Sequence, residues 1–193
     1  TSGFRGGSSI TGGGGGGSPV GGGTAEGGES LVGSDEYFTP AAEGTLQNWT
    51  NGSNAFSSDG ADATASMAVS QDFATFNLNV PSGNTIEGIE VQLEAAADSA
   101  GGAIAVELSW NGGTGTTTTG ISTGALTTSD VVYTLGGPDF LWGRSWDASA
   151  GEFENGSFEV RVRANPSGNT ISLDALQVRV YSSAGSGNEG GGG

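Results

Sequence analysis

Apolar and polar side chains alternate along most of the chain between residues 35 and 183. In "IEVQLEA", for example, Ile89, Val91 and Leu93 fall on one face and the acidic residues fall on the other. A repeat of two residues is typical of a β-strand with one buried face. Gly, Asn, Asp and Pro interrupt the runs at regular intervals, as turns between short strands do. No stretch free of glycine shows the spacing of an amphipathic helix.

Five runs carry the alternation most clearly: "FNLNV" at 76–80, "IEVQLEA" at 89–95, "AIAVELSW" at 103–110, "FEVRVRA" at 158–164 and "LQVRVYS" at 176–182. Trp49 and Trp110 are expected in the core that these strands enclose. About seven to nine short antiparallel strands, each with one solvated face, describe two packed sheets. We therefore predict an all-β fold, an antiparallel β-sandwich that is jelly-roll-like, with extended Gly-rich arms at its amino and carboxyl ends.

The hexapeptide "PSGNTI" occurs twice, at 81–86 and at 166–171. After the two copies the alternation has the same phase, but before them it differs, because Val80 precedes the first proline and Asn165 precedes the second. A duplicated domain preserves inward and outward positions on both sides of a turn. Turn chemistry used twice within one sandwich is therefore the favoured interpretation, and an old duplication altered by a one-residue bulge is the alternative.

Glycine divides the chain into three parts. Its 39 glycines are concentrated at the two ends, so we predict a Gly-rich arm at 1–33, a β-sandwich domain at 34–183 and a Gly-rich tail at 184–193. Such stretches are typical of flexible linkers. Alternatively, an extended backbone without side chains can lie in a narrow groove and pair with an exposed strand edge. We expect this second role, assembly, for the run Gly12, Gly13, Gly14, Gly15, Gly16 and Gly17.

Composition excludes several kinds of chemistry. The chain has no cysteine, no histidine and a net charge of −16, so thiolate, imidazole and zinc chemistry are not expected, and we predict no cofactor. Lysine is also absent, and binding to nucleic acids or anionic membranes relies on clustered basic residues. We expect neither partner. The amino end lacks the charged and apolar regions of a signal peptide.

The order of several segments resembles a known kind of domain. "VPSGNTIEGIEVQLEA", "AVELSWNGG", "YTLGGPDFLWGRSWDAS", "FEVRVRA" and "LDALQVRVY" follow one another in this chain. This order is similar to that of a β-sandwich domain common in tailed-bacteriophage virion structural proteins and in some bacterial and archaeal surface proteins. The resemblance covers roughly residues 45–182. It implies a module that is displayed or assembled and has no known chemistry.

The segment "WGRSW" is the most prominent candidate site, because Trp142 and Trp146 flank Arg144. Tryptophan and arginine frequently anchor protein interfaces, and aromatic rings beside a guanidinium can stack on a sugar. In the structural interpretation, which we favour, both indoles close the end of the sandwich and Arg144 pairs with a nearby acid, for example Asp139 or Asp147. A subunit contact and glycan binding are the two alternatives.

Other segments carry weaker signals. Asp59 and Asp62 flank a glycine as in part of a calcium loop, but the EF-hand spacing is missing and a solvated turn is expected. The acids Glu152, Glu154 and Glu159 could be sought as a glycosidase pair, although nearby acids are common in so acidic a chain. The threonine-rich stretch 113–120 is expected to be an exposed connection.

Together these observations favour a non-enzymatic structural subunit of a virion, either a capsid decoration protein or a fibre or tail-associated protein. It would assemble with other copies of itself and with other virion proteins through its Gly-rich arms, after synthesis in the host cytoplasm. The alternative is a carbohydrate-binding or adhesion module, or a surface-filament subunit, located outside the cell or on its surface.

Overall fold

The computed structural model describes residues 36–118 and 120–185, so Gly12–Gly17 and nearly all of both predicted arms lie outside the described residues. Within these ranges the chain forms nine β-strands and two short 3-10 turns, at Gly52–Ala55 and Ala148–Ala150. The strands are β1 Ala42–Gln47, β2 Ala63–Ala65, β3 Ser70–Ala74, β4 Thr85–Ala97, β5 Ala103–Ser109, β6 Ile121–Ser122, β7 Val131–Gly137, β8 Glu159–Asn165 and β9 Ile171–Ser183.

The strands form two antiparallel sheets with one core between them. One sheet has five strands in the order β1-β3-β8-β5-β6, and the other has four in the order β2-β9-β4-β7. Phe73 and Val162 from the five-stranded sheet and Leu93 and Leu176 from the four-stranded sheet are fully buried. The predicted all-β sandwich is therefore confirmed. Among the described residues, no helix has the length and apolar character needed to cross a membrane.

The two "PSGNTI" copies open the longest strands, β4 and β9, which lie side by side in the four-stranded sheet. In each copy the backbone N–H of the asparagine donates a hydrogen bond of 3.0 Å to the backbone carbonyl of the proline. The second copy reaches this geometry with positive φ angles at Ser167 and Gly168, whereas the first copy has no positive φ. The same six residues thus close the same hydrogen bond in two backbone conformations, which favours turn chemistry used twice.

The strand predicted at 76–80 is wrong. Residues 75–80 form no strand, because Thr75 and Asn77 have φ angles of 60° and 54°. This left-handed region interrupts the extended backbone that a strand requires. Phe76 is nevertheless buried, and Leu78 packs against the core. The alternation therefore predicted which side chains face inward, but not the backbone conformation.

A loop after β5 covers part of the outer face of the five-stranded sheet. The Gly113 carbonyl accepts a 2.9 Å hydrogen bond from Arg161, and Thr117 is buried. The expectation of an exposed threonine-rich connection is therefore wrong for this part of the loop. Gly113 has a positive φ, and a Cβ there would lie 2.6 Å from a carboxylate oxygen of Glu159, so only glycine fits this close approach.

Beneath this loop the outer face holds a buried charge cluster. Arg161 donates two hydrogen bonds of 2.7 Å to Asp72, which is fully buried. Glu159 lies beside them and accepts hydrogen bonds from Thr45. Burial, first of all, and the neighbouring Asp72 raise the pKa of the Glu159 carboxyl, although the hydrogen bonds from Thr45 act in the opposite direction.

The raised pKa of Glu159 predicts a pH-dependent stability. A carboxyl group whose pKa is higher in the folded state loses its contribution to stability as the pH rises through that pKa. Glu159→Gln, which resembles the protonated form, should therefore be more stable than the wild type near neutral pH. This advantage should shrink as the pH falls from the raised pKa of Glu159 towards the ordinary glutamate pKa, about 4.3, and should stay constant below it.

Urea unfolding midpoints of both proteins across this pH range measure the effect. Glu154→Gln is the matched control, because it removes an exposed acid from the loop that precedes β8. A constant difference between Glu159→Gln and the wild type at every pH would contradict the prediction.

Candidate functional site

The two indoles of "WGRSW" lie inside the protein. Trp142 is 1% exposed, and its Nε1 donates a 2.8 Å hydrogen bond to the carbonyl of Ile89. Trp146 is 8% exposed, and its ring lies 5.5 Å from the ring of Phe153 and 5.9 Å from that of Phe158. Both indoles belong to the hydrophobic core. Their placement favours the structural interpretation, in which they close one end of the sandwich.

Arg144 is held between two aromatic rings. Its guanidinium carbon lies 4.0 Å from the ring centroid of Trp110 and 4.5 Å from that of Trp146. Two of its nitrogens donate hydrogen bonds of 2.7 and 3.2 Å to the Glu152 carboxylate. Trp110 is only partly buried, so it forms the outer side of this stack and not the interior of the core.

Arg144 pairs with a nearby acid, as expected, but neither of the two acids named as examples, Asp139 and Asp147, is its partner. The salt bridge is made with Glu152, which the chain brings back to Arg144 through the 3-10 turn at Ala148–Ala150. Asp147 instead accepts hydrogen bonds from the backbone and hydroxyl of Ser149. These bonds lower the pKa of the Asp147 carboxyl.

A different surface gathers polar side chains, the outer face of the four-stranded sheet. Residues that alternate with the core residues of β4 and β9 point to this side. The register pairs Glu90 with Arg179 and Gln92 with Gln177. Phe38 bridges to β9 and packs against the core, so the preceding tyrosine points outward. We call the polar face the set Tyr37, Glu90, Gln92, Gln177, Arg179 and Tyr181.

Hydrogen bonds connect this polar face across three chain segments. The amide of Gln177 donates to Gln92 at 2.7 Å, and the amide of Gln92 donates to the Tyr37 hydroxyl at 2.7 Å. Tyr37 in turn donates to one carboxylate oxygen of Glu90, and Tyr181 donates to the other at 3.3 Å. The side chains therefore hold one another in fixed orientations.

The phenol of Tyr37 is kept protonated in this arrangement. Burial and then the hydrogen bond to Glu90 raise the pKa of Tyr37 above its ordinary value, although Arg179 acts in the opposite direction. Tyr37 therefore remains a donor to Glu90 and an acceptor from Gln92 at physiological pH.

The two tyrosine rings of the polar face flank its arginine. The guanidinium carbon of Arg179 lies 4.6 Å from the ring centroid of Tyr181 and 5.6 Å from that of Tyr37. At these distances the cation is attracted to both rings. The result is a partly exposed patch in which two aromatic side chains and a planar cation lie beside amide and carboxylate groups.

A shallow groove of about 110 Å³ continues the polar face towards β7. Gln92 and Gln177 belong to both, so the groove and the polar face form one surface. The groove is lined by Thr39, Ser58, Gln92, Glu94, Val132, Ala175 and Gln177. Of these, Thr39, Ser58 and Val132 are exposed, and the surface is therefore open to solvent along its length.

The remaining candidate acids have local partners. Asp59 accepts hydrogen bonds from Ala61 and Ser57 within its own turn. Burial and then the charges of Asp130 and Asp174 raise the pKa of Asp62. The described part of the chain contains no group of three or more His, Cys, Asp or Glu residues that could hold a metal ion.

The three acids considered for a glycosidase pair each have different surroundings. Glu152 bonds to Arg144, Glu159 lies beneath the loop on the five-stranded sheet, and Glu154 is exposed.

Comparisons with known proteins identify no family. No family model matches the chain, and no curated protein matches it. The resemblance to phage virion proteins therefore stays a prediction, of which the β-sandwich fold is the confirmed part.

Three solved structures show a distant likeness. One, described as "CBM4 structure and function", has a TM-score of 0.41 and 14% identity, over 75% of this chain and 94% of that one. The second is a family 29 carbohydrate-binding module from Piromyces equi, with a TM-score of 0.37 and 10% identity, over 80% and 94%.

The third is a carbohydrate-binding module from Cellvibrio mixtus lichenase 5A in complex with cellotriose. It has a TM-score of 0.36 and 14% identity, over 76% of this chain and 95% of that one. At these identities and TM-scores, what those proteins bind is no guide to what this chain binds.

A structural role for Arg144 predicts a loss of stability when it is removed. Arg144→Ala should lower the free energy of unfolding by about 1–3 kcal/mol, because it removes two cation–π contacts and leaves the largely buried Glu152 without its cation. Arg144→Lys should recover only part of this loss, since an ammonium cannot stack as a plane or bond both carboxylate oxygens.

Chemical denaturation measures these changes, and Arg163→Ala, which removes an exposed arginine of β8, is the matched control. Equal stabilities of Arg144→Ala and Arg163→Ala would contradict the structural role.

Proposed function

We propose that this protein is a non-enzymatic carbohydrate-binding or adhesion module that acts outside the cell or on its surface. Its binding site is the polar face together with the adjoining groove. The observation that carries the proposal is the hydrogen-bonded series from Gln177 through Gln92 and Tyr37 to Glu90, displayed on an open sheet surface.

The chemistry of the polar face suits a sugar. Each sugar hydroxyl can both donate and accept a hydrogen bond, and the polar face offers both kinds of group. The glutamines carry donors and acceptors, Glu90 accepts, and Arg179 donates. Neighbouring strands are spaced about 4.8 Å apart and outward residues on one strand about 6.6–6.8 Å apart. A sheet therefore presents these groups as a regular array that an extended glycan chain can follow.

The tyrosines add the apolar component that sugar binding needs. Tyrosine combines an apolar ring with a polar hydroxyl at its edge. In Tyr37 and Tyr181 the hydroxyls bond to Glu90, so the rings are fixed while they remain partly exposed. Fixed side chains lose little conformational entropy when a ligand binds.

The negative charge of the protein favours a neutral glycan as the ligand of the polar face. The polar face includes Glu90 and borders Glu94, and the whole chain has a net charge of −16. Long-range repulsion opposes the approach of polysaccharides that carry uronate or sulfate groups. Neutral glycans meet no such barrier.

The virion hypothesis depends on other parts of the chain. It requires the arms at 1–33 and 184–193, of which only Ala184 and Gly185 are described. Within the described ranges, the groups arranged together on an open surface are those of the polar face, and for this reason we give preference to the carbohydrate-binding module.

Substitutions on the polar face should weaken binding to neutral polysaccharides. Tyr181→Ala removes a ring and a hydroxyl, and Gln177→Ala removes the first amide of the series. Truncating an anchor residue typically costs more than 1 kcal/mol, so we expect each change to weaken binding roughly five- to tenfold or more. Tyr37→Phe, which keeps the ring, should have a smaller effect.

Affinity electrophoresis in gels containing xylan, mannan, β-glucan or hydroxyethyl cellulose measures these effects, and polygalacturonate serves as the acidic counterpart. Met67→Ala is the control, because Met67 is 68% exposed on the loop between β2 and β3. Retardation by polygalacturonate alone, or equal retardation of all variants by a neutral polymer, would refute the proposed site. Absence of retardation by every polymer would refute the proposed function.

A further inference from the structure

Strand β7 forms one edge of the four-stranded sheet and, among the residues that the structure describes, pairs only with β4. Edge strands present unpaired backbone groups, and proteins usually protect them with charged residues, proline or very short strands. Of the four edge strands in the described ranges, β2 and β6 have three and two residues, and β1 carries Glu43. β7 has seven residues, "VVYTLGG", without charge or proline.

The side chains at the start of β7 are apolar and exposed. Val131 is 40% exposed and Val132 is 56% exposed, in a chain whose surface is otherwise strongly acidic. Gly136 and Gly137 have φ angles of 80° and 154°, so the regular extended edge is Val131–Leu135. An uncharged edge of this kind suits a partner strand that is itself uncharged.

We propose that β7 is a homodimerisation edge, at which two copies of this chain pair antiparallel around a two-fold axis at Tyr133. This interaction is additional to carbohydrate binding and does not depend on it. In this register Val131 faces Leu135 of the second copy, and Val132 faces Thr134 of the second copy. Both pairs combine β-branched or apolar side chains, which are favourable across strands. A two-fold interface requires such a self-complementary surface.

The uncharged edge avoids part of the electrostatic repulsion that opposes contact between two copies. The whole chain carries a net charge of −16, so most contacts between two copies bring acids together. Glu94 of β4 lies opposite Val132, one strand away from the new contact, and the nearest acid in sequence is Asp130, which would face Gly136 of the second copy. The two Asp130 residues would lie at opposite ends of the strand pair, about 20 Å apart, a distance well beyond the screening length of about 8 Å at physiological salt.

The dimer would join the two four-stranded sheets into one sheet of eight strands. A two-fold axis perpendicular to the sheet keeps both outer faces on the same side. Both copies of the polar face would then point in one direction, where they can engage the same polymer or surface. Such bivalence raises avidity without any new ligand contact.

Sedimentation equilibrium of the full chain tests the proposal. Pairing along one strand gives a small, transient type of interface, so we expect a dissociation constant of roughly 10 µM to 1 mM. Dimerisation should strengthen when salt is raised, because salt screens the repulsion between the acidic subunits. A wild-type protein that remains monomeric at about 1 mM and at both low and high salt would overturn the proposal.

Matched variants identify the edge. Val131→Asp and Met67→Asp add the same charge at two exposed apolar positions, of which only Val131 belongs to β7. Val131→Asp should weaken dimerisation at least about tenfold, since its carboxylate would face Leu135 of the second copy. Met67→Asp should leave the dissociation constant within about twofold. Equal effects of the two variants would overturn the proposal.

Amide hydrogen exchange gives a second readout. Exchange of those amides in Val131–Leu135 that point away from β4 should slow as the wild-type concentration rises, because the second copy covers this edge. Exchange that is independent of concentration in a protein that dimerises would place the interface elsewhere and overturn the proposal. None of these readouts involves glycan, so failure here is distinct from failure of carbohydrate binding.

Discussion

Strands β4 and β9 pair along almost their whole length, and their register determines both surfaces of the four-stranded sheet. The register places Val91 opposite Val178 in the core and Gln92 opposite Gln177 on the outer side. Since side chains alternate with a period of two, a shift of one residue would exchange the two faces. The core and the polar face therefore depend on the same set of backbone hydrogen bonds.

The two sheets differ in how their outer faces are used. On the five-stranded sheet, the loop with Gly113 covers the salt bridge between Arg161 and Asp72. Charges sealed in this way maintain the local structure and are not open to a ligand. On the four-stranded sheet, the corresponding side is partly exposed in the described part of the chain, and Glu90 accepts hydrogen bonds from Tyr37 and Tyr181. This difference is why we propose the polar face as the recognition surface.

Local alternation predicted strands β4, β5, β8 and β9 and their inward residues, because inward and outward positions depend only on neighbouring residues. It failed at Thr75 and Asn77, whose positive φ angles have no counterpart in a pattern of polarity. The sequence shows that the outward residues of β4 and β9 are polar. It does not show that they bond to Tyr37, because that contact joins segments far apart in the chain. Glu152 was missed as the partner of Arg144 because the 3-10 turn at Ala148–Ala150, which folds the chain back between them, leaves no mark in the alternation.

Chemical-shift mapping by NMR with neutral oligosaccharides tests the central claim, that the polar face is the binding surface. The account predicts that the backbone and side-chain amide signals of Gln92, Gln177 and Arg179 shift on titration, together with those of neighbouring outward residues of β4 and β9. Signals from the end of the sandwich around Arg144 should stay unchanged. Shifts confined to that end or to the five-stranded sheet, or no shift with any neutral oligosaccharide, would contradict the account.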